Sequence, residues 1–213
     1  MKKVYLAITV ALLFVSVTTA QNLDIRAYGG VNVLQLSTDN SETIINEILH
    51  KTKVSGRAGY QLGGSITFGG RAFIQPGFQY TNLSTKIVNE STVNQADIFT
   101  DETTVQVISV PLKFGFRFID PETEDFFNIR VFGGFDGHHV IEVKHGTNSG
   151  AIGGVTKDDY TNLILNADFG MGVDLWFLFI DAGYQVGLTP VHASGDKAKA
   201  SAFYTNLGIR IKL

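Results

Sequence analysis

The chain has 213 residues, a formal net charge of −3 and no cysteine. This length suits a single domain, and the acidic balance provides no basic surface for nucleic acid. Without cysteine, an exported chain cannot rely on a disulfide framework, so its stability must come from a hydrogen-bonded fold.

The first twenty residues have the three parts of a secretory signal peptide. Lys2 and Lys3 form a positive start, the run from Val4 to Val17 is almost wholly apolar, and Thr18 and Ala20 are small. A membrane anchor is the alternative, but a spanning helix needs roughly 20 apolar residues and this run has 14. We therefore expect residues 1–20 to be a signal peptide that is cleaved after Ala20.

The mature chain is then one domain, residues 21–213. Removing the two lysines takes its formal charge from −3 to −5. Its longest apolar stretch, Leu175–Ile180, has only six residues, which is too short for a transmembrane helix. If this chain enters a membrane, it must cross as the strands of a closed barrel.

From Leu23 onward the pattern has a period of two, which is typical of strands. Most of the segments reach the 9–11 residues that a tilted outer-membrane strand needs. The eight predicted strands are at about 23–36, 57–69, 71–83, 104–118, 127–142, 162–176, 178–189 and 201–213.

Each segment has one apolar phase and one phase of polar residues and glycines. In the fourth, Ile108, Val110, Leu112, Phe114, Phe116 and Phe118 oppose Ser109, Lys113, Gly115 and Arg117. A soluble barrel such as a lipocalin would enclose the large apolar phase. Because glycines and charges share the other phase and suit a narrow interior, we expect the apolar phase to face lipid.

The connections alternate in length, as they do in outer-membrane barrels. The long polar ones are about 37–56, 84–103, 143–161 and 190–200; the short ones are Gly69-Gly70, an acidic turn at Asp120 to Asp125, and a link near Phe177. The last contains no Gly, Pro, Asn or Asp. Aromatic residues that suit interfacial girdles are Tyr80, Phe118, Phe126, Phe127, Trp176, Phe177, Tyr184, Phe203 and Tyr204.

An eight-stranded barrel is just wide enough to be filled by side chains, so we expect no open pore for sugars or larger solutes. Its interior should hold a buried ion network that fixes geometry. The predicted members are Arg26, Arg71, Lys113, Arg117, Arg130 and Arg210 against Asp168, Asp174 and Asp181.

Several segments resemble the outer-membrane β-barrel family of Bacteroidetes that includes PorT-like proteins. They are "FIQPGFQYTNLSTK", "VISVPLKFGFRF", "ADFGMGVDL" and "LFIDAGYQVGLTPV". The resemblance covers essentially residues 21–213 and implies the fold while saying little about activity. Gly77 stands where family members often have an inward acidic residue, so we expect one interior charge pair fewer. Leu213 replaces the usual terminal Phe, but it is also a large apolar residue in the outward phase, so we expect recognition by the insertion machinery to survive at lower efficiency.

Candidate chemistry is sparse. Asp136, His138 and His139 form the one tight acid–histidine group, and a general base there would need a nucleophile from another strand. The remaining histidines, His50, His145 and His192, have no metal-ligand spacing. Asp158 and Asp159 suit a solvated acidic loop as well as calcium. We assign no catalytic, cofactor or metal residue.

The sequence therefore predicts an all-β, eight-stranded, antiparallel up-and-down transmembrane barrel in the outer membrane. Its expected partners are outer-membrane lipid, the insertion machinery and an extracellular or envelope protein, and no nucleic acid. We expect a non-enzymatic, partner-binding or envelope-structural protein without a cofactor. A lipid- or peptide-hydrolysing enzyme and a narrow porin-like ion pore are the alternatives.

Overall fold

The computed structural model describes residues 23–37, 43–45, 48–91, 99–121, 123–124, 126–145, 161, 163–191 and 199–213. The expected signal peptide lies outside these residues. The strands are β1 Leu23–Ser37, β2 Thr43–Ile45, β3 Ile48–Phe68, β4 Ala72–Ser91, β5 Phe99–Arg117, β6 Phe127–His145, β7 Ile164–Leu175, β8 Leu178–Gly187 and β9 Lys199–Lys212.

Eight of these strands close into a barrel. Each pairs antiparallel with the next, and β1 pairs with both β3 and β9, which closes the sheet; the short β2 pairs with β3. Following the register once around from Leu23 returns to β1 at Val33, ten residues further along. Such a stagger tilts the strands. The predicted eight-stranded up-and-down barrel is confirmed.

The predicted orientation of the two faces is also confirmed. On β5, Val110 is 59 % exposed on the outer face, whereas its neighbour Ser109 is fully buried inside. On β7, Met171 is 63 % exposed and Asp174 is fully buried. The large apolar side chains thus face outward around the wall, as lipid requires. None of the described residues forms a helix long and apolar enough to cross a membrane.

Three of the predicted long loops are shorter than expected, because the strands continue into them. We call these added parts the extension: residues 48–56 of β3, 84–91 of β4, 99–103 of β5 and 143–145 of β6. They stay paired, as in His50 with Ser91 and Thr103 with His145. The apolar alternation that marks the other segments weakens here, so sequence reasoning read the extension as loop. The remaining parts of these loops lie outside the described residues.

The short connections lie together at one end of the barrel, the short-turn end. Gly69 takes a left-handed φ of 116° in the β3–β4 turn, which only glycine adopts without cost. Trp176 and Phe177 form a two-residue turn between β7 and β8, where the sequence predicted a link near Phe177, and Trp176 has a φ of 53°. The amides of Thr123 and Glu124 donate to the Asp120 carbonyl in the acidic turn.

Aromatic side chains surround the short-turn end, as the girdle interpretation predicted. Phe118, Phe126, Trp176 and Phe177 are all exposed there. The Trp176 and Phe177 rings meet edge to face at 4.8 Å. Tyr204 was wrongly assigned to a girdle, because it lies in the inward phase of β9 and is almost completely buried.

Candidate functional site

The short-turn half of the interior contains a group of buried charges that we call the ion layer: Asp24, Arg26, Arg117, Arg130, Asp174, Asp181 and Arg210. Asp174 is its centre. Both of its oxygens accept from Arg26 at 2.9 Å, and it also accepts from Arg130 at 3.1 Å and from Arg210 at 3.5 Å. Paired, bidentate geometry of this kind is what makes a buried carboxylate tolerable.

The rest of the ion layer links Asp174 to the neighbouring strands. Arg117 and Arg26 both donate to Asp24, and Arg130 donates to Asp181. Asp24 was not predicted, although it lies in the same phase as Arg26, because it is the second residue of its strand. The prediction for Arg71 was wrong: its side chain is 55 % exposed and pairs with Asp120 at 3.6 Å in the turns.

Above the ion layer, Lys113 is held by one carboxylate and two rings. Its Nζ lies 3.0 Å from Asp168 and donates to the Tyr204 hydroxyl at 2.9 Å. The same nitrogen lies 4.6 Å from the centre of the Phe132 ring, which is a cation–π distance. Gly183 leaves the space for Tyr204, because a Cβ there would come within 2.4 Å of the hydroxyl.

Sequence reasoning missed the aromatic residues of the interior. Phe73, Phe132, Phe179 and Tyr204 are buried in the phase that was expected to be polar. Each serves as a surface for a cation: Arg117 stacks on Phe73, and both Arg26 and Arg130 stack on Phe179. A signal for these positions exists in the sequence, since each breaks the polar phase of its own segment.

Amides fill the next level of the interior. Gln61 donates to Asn206 at 2.6 Å, and Gln79 donates to Thr81 at 2.8 Å. The Tyr28 hydroxyl donates to Gln79 at 3.0 Å. Uncharged groups thus continue the polar filling that begins with the ion layer, so the predicted polar interior is confirmed for this part of the barrel.

The acid–histidine group on β6 is split between the two faces. Asp136 and His138 point inward and are buried, whereas His139 points outward. The partner that sequence reasoning could not find is Ser109 on β5, whose Oγ lies 2.7 Å from His138 Nδ1. It was missed because the pairing of Ser109 with His138 is a matter of strand register.

This group has the residues of a nucleophilic triad without its geometry. His138 Nε2 lies 3.8 Å from the Asp136 carboxylate, which is too far for a hydrogen bond. Ser109 has no exposed surface and does not line the neighbouring cavity. An acyl substrate therefore has no access to the hydroxyl that would have to attack it.

The long-loop half of the interior is apolar, contrary to the expectation of a polar filling throughout. We call its buried cluster the apolar mouth: Val105, Val107, Val140, Ile164 and Val191. The members on strands continue the inward phase of Ser109 and His138, so the residue types change here while the alternation does not. Just beyond Val140, β6 has one extra residue, Ile141, opposite the step from Gln106 to Val107. An extra residue shifts the side chains that follow to the other face.

The outer face becomes polar at the same level. Glu142 and Lys144 point outward and pair at 3.3 Å. In the amide orientation that satisfies its neighbours, Gln106 donates to Glu142 and to the Tyr80 hydroxyl, both at 3.0 Å. A wall with polar side chains on its outer face and apolar side chains on its inner face is suited to contact with water on the outside. This level therefore marks the upper edge of the lipid-facing band.

Metal-binding residues do not come together in the described part of the chain, where no three His, Asp or Glu residues could hold an ion. His50 and His145 lie on β3 and β6. His192, Asp158 and Asp159 lie outside the described residues.

Residues 19–193 match the family model of the outer membrane protein beta-barrel domain. The chain belongs to this family. Its location is therefore the outer membrane, as predicted. No curated protein sequence matches the chain.

Among solved structures, the chain is similar to the outer membrane protein OprG from Pseudomonas aeruginosa. The identity is 10 %, the TM-score is 0.55, and the match covers 90 % of this chain and 96 % of OprG. It also matches Neisserial surface protein A at 11 % identity and a TM-score of 0.49, covering 90 % and 97 % of the two chains. The attachment invasion locus protein Ail of Yersinia pestis matches at 12 % identity and a TM-score of 0.42, covering 89 % and 98 %. The likeness to OprG shows the fold alone.

Proposed function

We propose that this protein is a closed, non-enzymatic outer-membrane protein that acts at the cell surface through its extension. An extracellular or envelope protein is the partner that we propose for the extension, and lipid and the insertion machinery are its proposed partners in the membrane. The finer assignment to PorT-like proteins of Bacteroidetes is part of the same proposal, supported by the sequence resemblance. The ion layer is the observation that carries the proposal of a closed barrel.

The ion layer supports a closed interior because its side chains fill the cross-section and bind each other. Arg26, Arg117 and Arg130 are each about 1 % exposed, and Asp174 is fully buried. Water and ions passing through would have to separate these buried charges, and breaking such pairs is costly. Transport by an open lumen is therefore disfavoured.

The extension supports action at the surface because it projects well beyond the lipid-facing band. β4 has 20 residues and β5 has 19, whereas a tilted strand needs only about 9–11 to span the membrane. The extra residues form a paired, multi-stranded sheet. A paired sheet presents a fixed surface to a partner, with less ordering on binding than a free loop would need.

Planar-bilayer conductance tests closure. We expect wild-type protein to show no steady conductance in 1 M KCl, and we expect openings in an Asp174→Ala, Arg130→Ala double variant that removes the centre of the ion layer. An Asp120→Ala, Arg71→Ala variant is the matched control, because it removes an exposed ion pair outside the interior. Steady wild-type conductance equal to that of the double variant would refute closure.

Trimming one hairpin tests the extension. Replacing residues 86–102 by Asn-Gly connects Thr85 to its paired residue Thr103 through a two-residue turn. Replacing only residues 90–98 joins the paired Asn89 and Phe99 and keeps the hairpin, which makes it the control. In a strain lacking the protein, we expect both variants to insert, and only the control to restore survival in detergent with EDTA and attachment to surfaces. Equal restoration by both variants would contradict the proposal.

The contact between Ser109 and His138 favours hydrolysis as the second candidate. Release of fatty acid from mixed micelles by wild type, lost in both Ser109→Ala and His138→Ala, would support an enzyme. We expect no release above that of the variants, because Ser109 is fully buried.

A further inference from the structure

We propose that the apolar mouth is a binding site for a short-chain aliphatic amine, held with its alkyl chain among the valines and its ammonium group at the polar floor. The site lies inside the barrel at the long-loop end and is independent of the extension's outer surface. It differs from the ion layer, because its walls are apolar and part of its polar floor has no partner.

The cavity has the size for a small molecule. Its volume is about 90 Å³. A cavity of 150 Å³ lined by apolar side chains holds benzene, so this one encloses roughly three to four non-hydrogen atoms, and a longer alkyl chain extends from it toward the long-loop side. Side chains from seven of the eight barrel strands line it, including Leu34, Val105, Val107, Val140 and Ile164. Burying an alkyl chain there removes apolar surface from water, which supplies the driving force.

The floor of the cavity presents polar atoms that are buried and unsatisfied. Asn166 is 5 % exposed and His138 is 7 % exposed, and both line the cavity. Asn166 Oδ1 and His138 Nε2 have no hydrogen-bond partner among the described residues, and neither has Oδ1 of Asp136. The three side chains are neighbours, because Asp136 pairs directly with Asn166 across β6 and β7 and precedes His138 by two residues. Unsatisfied buried groups of this kind are uncommon and need an explanation.

An ammonium group matches this floor better than other head groups. It offers three donors, and Asn166, which lines the cavity, offers an acceptor oxygen. His138 Nε2 becomes a second acceptor when Nδ1 carries the proton and donates it to Ser109. Asp136 does not line the cavity but supplies the negative charge from behind the floor, since its carboxylate lies 3.8 Å from His138 Nε2. Its partner Gln185, at 2.7 Å, is neutral, and Lys113 is already paired with Asp168. A carboxylate ligand would be repelled by Asp136, and an alcohol would satisfy only one acceptor.

The ion layer makes this a closed-ended site. A ligand enters and leaves on the long-loop side, and nothing in the described interior lets it continue toward the short-turn end. The site therefore fits sensing or storage of an amine at the surface, and it does not depend on transport.

Methyl NMR of the barrel in detergent micelles tests the proposal. With ¹³C-methyl valine, leucine and isoleucine labels, n-pentylamine, n-pentanol and pentanoate are titrated at pH 7, where an alkylamine is protonated. We expect saturable shifts of the Val107, Val140 and Ile164 methyls with n-pentylamine, at a dissociation constant at least tenfold below that of pentanoate. We expect Asp136→Asn to weaken amine binding tenfold or more while changing pentanol binding less than twofold.

Two variants separate the cavity from simple partitioning into the micelle. Val107→Phe fills the cavity and should abolish the saturable shifts, whereas Val110→Phe, on the lipid-facing side of the same strand, should leave them unchanged. Heat-modifiable gel migration confirms that each variant is folded. Equal affinity for pentylamine and pentanoate, non-saturable shifts, or shifts that survive Val107→Phe would each overturn the proposal. Saturable binding of pentanol alone would also overturn it, since the acceptors of the floor would then play no part.

Discussion

Substituting the carboxylate at the centre of the ion layer should destabilise the barrel more than any surface ion pair could. Asp174→Asn keeps the side-chain size but removes the charge that Arg26, Arg130 and Arg210 share. The ion layer then holds four arginines against two aspartates instead of three. Breaking a buried pair in this way costs about 3–5 kcal/mol, because a cation is left without its counter-charge. This corresponds to roughly two to three and a half orders of magnitude in the unfolding equilibrium.

Urea unfolding in lipid vesicles, followed by tryptophan fluorescence and by heat-modifiable gel migration, measures this loss. Asp120→Asn is the control, because its partner Arg71 is more than half exposed and an exposed pair is worth about 0–1 kcal/mol. If Asp174→Asn lowered the free energy of unfolding by less than 1 kcal/mol, the arginines would have to reach water or other acceptors. The ion layer would then not be a dry seal, and closure of the interior would lose its physical basis.

Three further substitutions test other parts of the fold by the same unfolding measurement. Gly183→Ala should lower the free energy of unfolding by about 1–3 kcal/mol, because the new Cβ would collide with the Tyr204 ring. Gly137→Ala should be nearly neutral, because the nearest atom to its new Cβ is Leu163 Cδ1 at 3.6 Å. Equal effects would mean that Tyr204 is free to move. Leu112→Arg, on the lipid-facing side of β5, should lower the free energy of unfolding by about 2–4 kcal/mol, and Phe118→Arg, at the short-turn end, by about 0–1 kcal/mol. The reverse order would mean that the membrane lies at a different level of the barrel. Trp176→Gly should be more stable than Phe177→Gly by about 1 kcal/mol. Both variants lose an interfacial ring, but only Trp176 has a left-handed backbone, which glycine adopts without cost. Equal stability of the two variants would show that the turn relaxes.

The barrel could be predicted from the sequence because lipid imposes a strict pattern on the wall. Every strand in the membrane must place large apolar side chains on one face, so the alternation of Val110, Leu112 and Phe114 defines strand and orientation together. The extension lacks this constraint. It continues beyond the lipid-facing band, and the apolar alternation that would have identified its strands weakens there.

The candidate site was only partly predictable because its contacts cross between strands. The inward direction of Asp136 and His138 follows from the period of two, and the structure bears it out. Ser109 could not be assigned to His138 without the β5–β6 register. The apolar mouth was missed because its residues lie in the phase that was expected to be polar throughout. The bulge at Ile141, which turns Val143 toward this cluster, could not be read from the alternation either.

Because the strands have unequal lengths, the rim of the barrel rises higher above the membrane on one side than on the other. β4 is ten residues longer than β8, which at about 3.4 Å per residue and a tilt of about 40° is a height difference on the order of 25 Å. Among the described strands, the rim is therefore high on the β3–β6 side and low on the β7–β9 side. A neighbouring protein in the same bilayer therefore meets a high wall of strands on one side of the barrel and a low one on the opposite side. Rotation of the barrel about the membrane normal changes which of the two sides faces that neighbour.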